Sequence, residues 1–186
     1  SLLGEIQLGH MEQVGYDTYC RLLDEVVKEI QGIEVKEEQD IQIDIDVSSY
    51  IPDSFIDNNS QKIEIYQNIA LCRTEEDIQN VIDEIIDRYG HMPSELENLI
   101  EIARIKNLCR VANVIKISQR KEKVVFYFDK AKFNPEIVDK LIKKYNTNIR
   151  FSTGIEPYVT VTIGSKIIEE IKEFLTYIQN CTTSSM

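Results

Sequence analysis

Tryptophan is absent from the chain and histidine occurs only twice. Four cysteines are present, but Cys20, Cys72, Cys109 and Cys181 lie far apart and form no Cys-x-x-Cys pair. With so few imidazoles and no paired thiols, a zinc site is not expected. Three of the cysteines fall in helix-patterned stretches, where a free thiol serves as a small buried hydrophobe, in keeping with a reducing cytoplasm. No basic segment followed by an apolar run opens the sequence, and no apolar run approaches membrane-spanning length. A soluble, cytoplasmic chain without membrane attachment is therefore expected. Also missing are a Gly-rich phosphate cradle, a G-x-x-x-x-G-K-(S/T) loop and a nucleophile elbow. His10 and His91 stand alone, and His91, just after a glycine, reads as a surface or capping residue rather than a base. These absences leave no complete active site, and no cofactor or metal is expected in this chain.

What is present suits a packed globular domain with a helical lead-in: 186 residues, 42% of them hydrophobic. The net charge of -11 argues against nonspecific binding to nucleic acid or to an anionic membrane. That charge is unevenly divided. Residues 1–100 hold about 23 of the 32 acids and about 6 of the 21 bases, whereas residues 101–186 are net basic.

In chain order, residues 1–15 carry three glycines and little periodicity. Tyr19, Leu22, Leu23, Val26, Val27 and Ile30 then predict a helix ended by Gly32. Residues 1–32 thus form a lead-in, and 33–40 an acidic linker without an apolar face. Ile41, Ile43, Ile45 and Val47 alternate with polar residues as a one-faced strand. Asp44 and Asp46 on its outer face are two residues apart. They read as solvated charges that discourage edge pairing, with a carboxylate metal or acid/base site as the alternative. Tyr50, Ile51, Phe55 and Ile56 are expected to pin an irregular segment to the core, and Ser60 to cap a short helix.

The stretch from Glu75 to Pro93 is the most sharply punctuated. Thr74 and Asp77 form a capping-box pattern, and Ile78, Val81, Ile82, Ile85 and Ile86 share one face. Gly90 supplies a left-handed stop, and Pro93 suits the next helix's first turn. That next helix, to about Ala112, is apolar on two sides and reads as central. Beyond it the pattern is strand, strand, helix, repeated: 114–118, 124–128 and a helix through Ile137 and Leu141, then 148–152, 158–163 and a helix that Ser165 caps. Residues 181–186 are expected to be a disordered tail. The fold class is α+β: a helical lead-in and helical subdomain packed with a small mixed or antiparallel sheet, ending in two ββα units. The main domain is placed at 41–180. The basic loop Arg120, Lys121, Lys123 is a candidate for RNA contact, but alternation leaves only Tyr127 with Val125 on the outer face of its strand. No stacking platform emerges from it, and the chain itself is not expected to bind nucleic acid.

The run Glu84-Ile85-Ile86-Asp87-Arg88-Tyr89-Gly90-His91-Met92-Pro93 resembles the E-L-x-D-R-(F/Y)-G-x-x-P signature of the C-terminal (TRCF) domain of bacterial transcription-repair coupling factors. The segment YIPDSFIDNNSQKIEIYQNIA is similar to that family's upstream motif, and LLGEIQLGHMEQVGYDTYCRLL looks like the end of its translocase module. The match spans about residues 2–112; Ile85 stands for Leu and Tyr89 for Phe. The resemblance implies a piece of a longer, ATP-driven DNA translocase that displaces stalled RNA polymerase and recruits the excision-repair protein UvrA. ATP and Mg would belong to the parent's translocase module, with no cofactor in this chain. The implied role here is a non-catalytic regulatory lid, docked intramolecularly on a UvrB-like module that carries the UvrA-binding surface. Contact with UvrA, RNA polymerase and DNA would then be indirect, through the full-length protein. The family's docking acids correspond to Glu84 and Asp87.

The residues themselves allow this reading. Glu84 and Asp87 are i and i+3 on a polar face, and Glu84 is correctly oriented to pair with Arg88 at i+4. Such an exposed pair contributes only about 0.3–0.5 kcal/mol, too little to be required for folding. Glu84, Asp87 and Arg88 are therefore the candidate partner-binding residues. A direct interaction module for RNA polymerase or another repair factor is the alternative, and a carboxylate enzyme using Asp44, Asp46 or Glu84 is a third.

Overall fold

The computed structural model describes residues 40–152 and 154–183, so the expected lead-in helix and nearly all of the acidic linker lie outside the described residues. Within the described residues, 47–104 make one compact unit, and 40–46 with 105–183 make a second. The span placed at 41–180 thus holds two units.

In the first unit, α1 (Asn59–Ala70) begins at Asn58, whose side chain accepts the Gln61 N–H at 3.0 Å. The expected cap, Ser60, lies inside this helix. An asparagine two residues earlier satisfies the free N–H groups of the first turn, so the helix extends back to it. The preceding segment is pinned as expected: Ile51 and Ile56 are buried, and the Ile51 N–H donates to the Tyr66 hydroxyl at 2.8 Å. α2 (Glu75–Tyr89) carries the full capping box, Thr74 accepting from the Asp77 N–H while Asp77 accepts from the Thr74 N–H. The helices α1 and α2 pack on each other. α3 (Ser94–Ala112) follows, and the division between the units falls within it, after Arg104. Its buried residues, Leu96, Leu99, Ile100, Ile102, Ala103, Ile105 and Cys109, cover more than one stripe, as the two-sided pattern required.

The second unit is a five-stranded mixed sheet in the order β1-β2-β3-β5-β4. β1 (Gln42–Asp44) runs parallel to β2 (Val114–Arg120). β2, β3 (Lys123–Phe128), β5 (Tyr158–Thr162) and β4 (Ile149–Phe151) are antiparallel neighbours. β1 is shorter than the alternating run 41–47, with Ile45 and Val47 only half-buried. β2 and β3 reach further into the basic loop than the pattern predicted, because Lys121 at φ 58° closes a tight turn between them.

The two ββα units are present, completed by α4 (Ile137–Tyr145) and α5 (Ile167–Thr183). At the start of α5, Glu170 accepts the Gly164 N–H at 2.9 Å and the Lys166 carbonyl accepts the Glu170 N–H, so the helix opens one residue beyond the expected Ser165 cap. Its end also differs from expectation. The helix continues to Thr183, three residues into the stretch expected as tail, because Cys181 is buried and the Thr182 and Thr183 hydroxyls donate to carbonyls of the preceding turn.

Burial in β3 is not strictly alternating, since Val125 on the other face is buried as well. Val124, Phe126 and Phe128 point to the helical side, where the rings of Phe126 and Phe174 stack at 4.1 Å between centroids and both are at most 1% exposed. Phe174→Ala is expected to lower the unfolding free energy by about 3–5 kcal/mol, read as a shift of the urea midpoint of the fluorescence or circular dichroism transition.

Candidate functional site

The sequence-predicted residues Glu84, Asp87 and Arg88 lie together on the last turns of α2, all exposed. The guanidinium of Arg88 stands 3.5 Å from the Glu84 carboxylate and also 3.5 Å from that of Glu64 on α1. It also sits 5.1 Å from the centroid of the Tyr89 ring, which in turn lies 6.0 Å from the ring of Phe55. Arg88 is thereby held by two carboxylates and an aromatic face. Glu64 was missed by the sequence reading, because no spacing rule relates positions on different helices.

Asp87 is different. Among the described residues no cation pairs with it, and it occupies the helix end where the macrodipole disfavours negative charge. The side chain beside it, Ile86, was expected on the core face, yet it is 48% exposed, whereas Ile78 and Ile85 are essentially fully buried. The apolar stripe is wider than the surface α2 covers, and its edge reaches solvent next to Asp87. The result is an acidic turn with an apolar side chain at its margin, a pattern suited to reversible protein contact rather than to proton transfer.

The turn is fixed in place from both ends. At the start of α2, the N–H groups of Arg73 and Thr74 donate to the Asp77 carboxylate and hold its pKa below the ordinary value. Arg104 reinforces the same end, bonding Glu75 through Nε and Nη2 and Glu101 through Nη1. At the other end Gly90 adopts φ 88°, ψ -154°. That is not the left-handed helical conformation expected for the stop, but an extended region open essentially to glycine alone. Nothing lies within 4 Å of a Cβ built there, so backbone strain rather than crowding requires glycine.

No group of three or more His, Cys, Asp or Glu side chains arranged to hold a metal occurs among the described residues. Asp44 and Asp46 are exposed and separate; the Asp46 N–H donates to Gln119 Oε1 at 2.7 Å. Cys72, Cys109 and Cys181 are buried, and burial together with nearby Asp77 pushes the Cys72 pKa up to about 11. No described helix is long and apolar enough to cross a membrane.

Three outcomes are expected. Gly90→Ala should cost about 1–3 kcal/mol of stability in chemical denaturation. Tyr89→Phe should leave stability unchanged or raise it, since the Tyr89 hydroxyl is buried without a hydrogen-bond partner. The lowered pKa of Asp77 favours folding above its unfolded-state value, and that contribution disappears as pH falls through the folded-state value. The stability gap between the parent chain and Asp77→Asn should therefore be widest near neutrality and close in acid, measured by urea denaturation across pH.

The TRCF domain family matches residues 45–137. The transcription-repair-coupling factor of Bacillus subtilis (strain 168) is 37% identical over 125 residues, which is 67% of this chain and 11% of that protein. Its counterpart in Rickettsia prowazekii (strain Madrid E) is 29% identical over 182 residues, 94% of this chain and 16% of that protein. The chain therefore spans only about a tenth to a sixth of the length of these relatives. A crystal structure of the C-terminal domain of transcription-repair coupling factor shares the α+β fold with a TM-score of 0.68 at 21% identity, covering 78% of this chain and 96% of that one. Since the family match takes in half of the sequence, from the end of the first strand region through the Glu84–Asp87–Arg88 turn to the start of α4, this chain belongs to the TRCF domain family.

Proposed function

We propose that this chain is the non-catalytic regulatory domain of a transcription-repair coupling factor, acting as an autoinhibitory lid. The acidic turn of α2 docks on a basic surface of the parent's UvrB-like module and covers the site that UvrA recognises. ATP, Mg and the DNA-translocating machinery that displaces RNA polymerase belong to the remainder of the parent. The observation that carries the reading is Asp87: an exposed carboxylate with no cation beside it among the described residues, at a helix end that disfavours it. Folding gains nothing from that placement, whereas a partner with a complementary cation does. Glu84 adds a second carboxylate, and Arg88, drawn toward Glu64 and Glu84, is held back from neutralising Asp87.

A lid must also open. Contacts made by rim charges are salt-sensitive and readily broken, and the exposed Ile86 supplies a small apolar centre that stays shielded while the lid is closed. Glu84→Ala with Asp87→Ala should change the stability of this chain by no more than about 1 kcal/mol. The same pair of substitutions in the full-length protein should raise UvrA binding. Titration of the isolated UvrB-like module with this chain at low and at raised salt is the direct check. Binding that weakens with salt and with loss of the two acids is expected, and absence of binding at low salt sinks the reading.

A further inference from the structure

The face of the second unit's sheet opposite Phe126, on which Ser118 and Val125 are buried, has a composition that the pattern of any one strand does not reveal. Pairing register places Lys116, Ser118 and Arg120 of β2 opposite Tyr127, Val125 and Lys123 of β3. These face Tyr158, Thr160 and Thr162 of β5, and Thr160 faces Arg150 of β4. On the opposite face Phe126 meets Phe174, so this side carries the alternate residues. The face thus presents four cations with a single strand acid, Asp44, at the β1 edge. No carboxylate pairs with Lys116, Arg120, Lys123 or Arg150 among the described residues.

Two tyrosine rings lie side by side in this field. Tyr127 and Tyr158 are cross-strand partners with ring centroids 5.5 Å apart, and Tyr158 is 40% exposed. The ammonium of Lys116 is 5.4 Å from the Tyr127 centroid. Alternation within β3 offered only Tyr127; the β3–β5 pairing supplies the second ring.

We propose that this face binds a single strand of nucleic acid. Bases stack on Tyr127 and Tyr158, while Lys116, Arg120, Lys123 and Arg150 take the phosphates. Charge alone would equally fit an acidic polypeptide, but paired rings next to cations match a strand that alternates π-faces with phosphates. A duplex, with its bases stacked internally, has none to offer the rings. The overall charge of -11 hid this face, because the acids are concentrated in the first hundred residues. The proposal is independent of the acidic turn on α2, and its failure leaves the lid reading untouched.

The test is fluorescence anisotropy of the whole chain with a labelled oligo(dT) of about fifteen nucleotides. Binding is expected at about 50 mM salt, weakening toward about 200 mM with a log–log slope near -0.7 per phosphate contact. Tyr127→Ala and Tyr158→Ala should each weaken binding about ten-fold, whereas Tyr127→Phe and Tyr158→Phe, which keep the ring, should bind as the parent does. Lys116→Gln with Arg150→Gln should flatten the salt slope by about 1.4. Thermal melting of each variant identifies any loss that reflects unfolding, and the phenylalanine variants keep the stacking claim testable if an alanine variant does not fold. Absence of binding at about 50 mM salt overturns the proposal. So does equal affinity for a poly-glutamate peptide or for a duplex of the same length, or full binding by folded alanine variants.

Discussion

The period-two alternation of β3 is the constraint on which the second unit depends. One set of its side chains, Val124, Phe126 and Phe128, is buried toward the helices, and Phe126 stacked on Phe174 ties strand to helix. A slip of one residue would take these three off the helical side and turn Lys123 and Tyr127 inward, so burial fixes the register. With β3 set, β2 and β5 pair on either side of it, and β1 and β4 close the edges. The composition of the outer face follows from the same choice.

In the first unit, local chemistry at the two ends of α2 has the corresponding role. Thr74, Asp77 and the Glu75–Arg104 pair define where the helix begins, and the positive φ of Gly90 defines where it stops. Between them Ile78 and Ile85 are the fully buried anchors. A helix so bounded and so anchored has little freedom to rotate. The turn bearing Glu84, Asp87 and Arg88 is therefore presented in one orientation, which is what recognition by a partner requires.

Much of this was legible in the sequence, for reasons tied to particular residues. The capping box of α2 was readable because it uses residues three apart, and the ββα repeat because strand and helix periods differ. The buried role of Phe126 and Leu141 followed from the same periods. Where expectation and structure differ, the competing features were local alternatives of similar strength. Asn58 caps α1 in place of Ser60, Lys166 opens α5 after Ser165, and the buried Cys181 carries α5 into a polar stretch that composition alone marked as tail. Gly90 was correctly placed as a stop, but its ψ, and hence the kind of stop, depends on where the following chain must go.

The sequence by itself determined the element types, the helix punctuation, the α+β class and the acidic turn, because each is encoded by neighbours within a few residues. The tertiary structure decided what depends on distant partners. It brought Glu64 to Arg88, left Ile86 outside the surface that α2 covers, and set Tyr158 beside Tyr127. Residues from different strands or helices meet only when burial of apolar surface selects one register and one packing, and no local spacing records that choice.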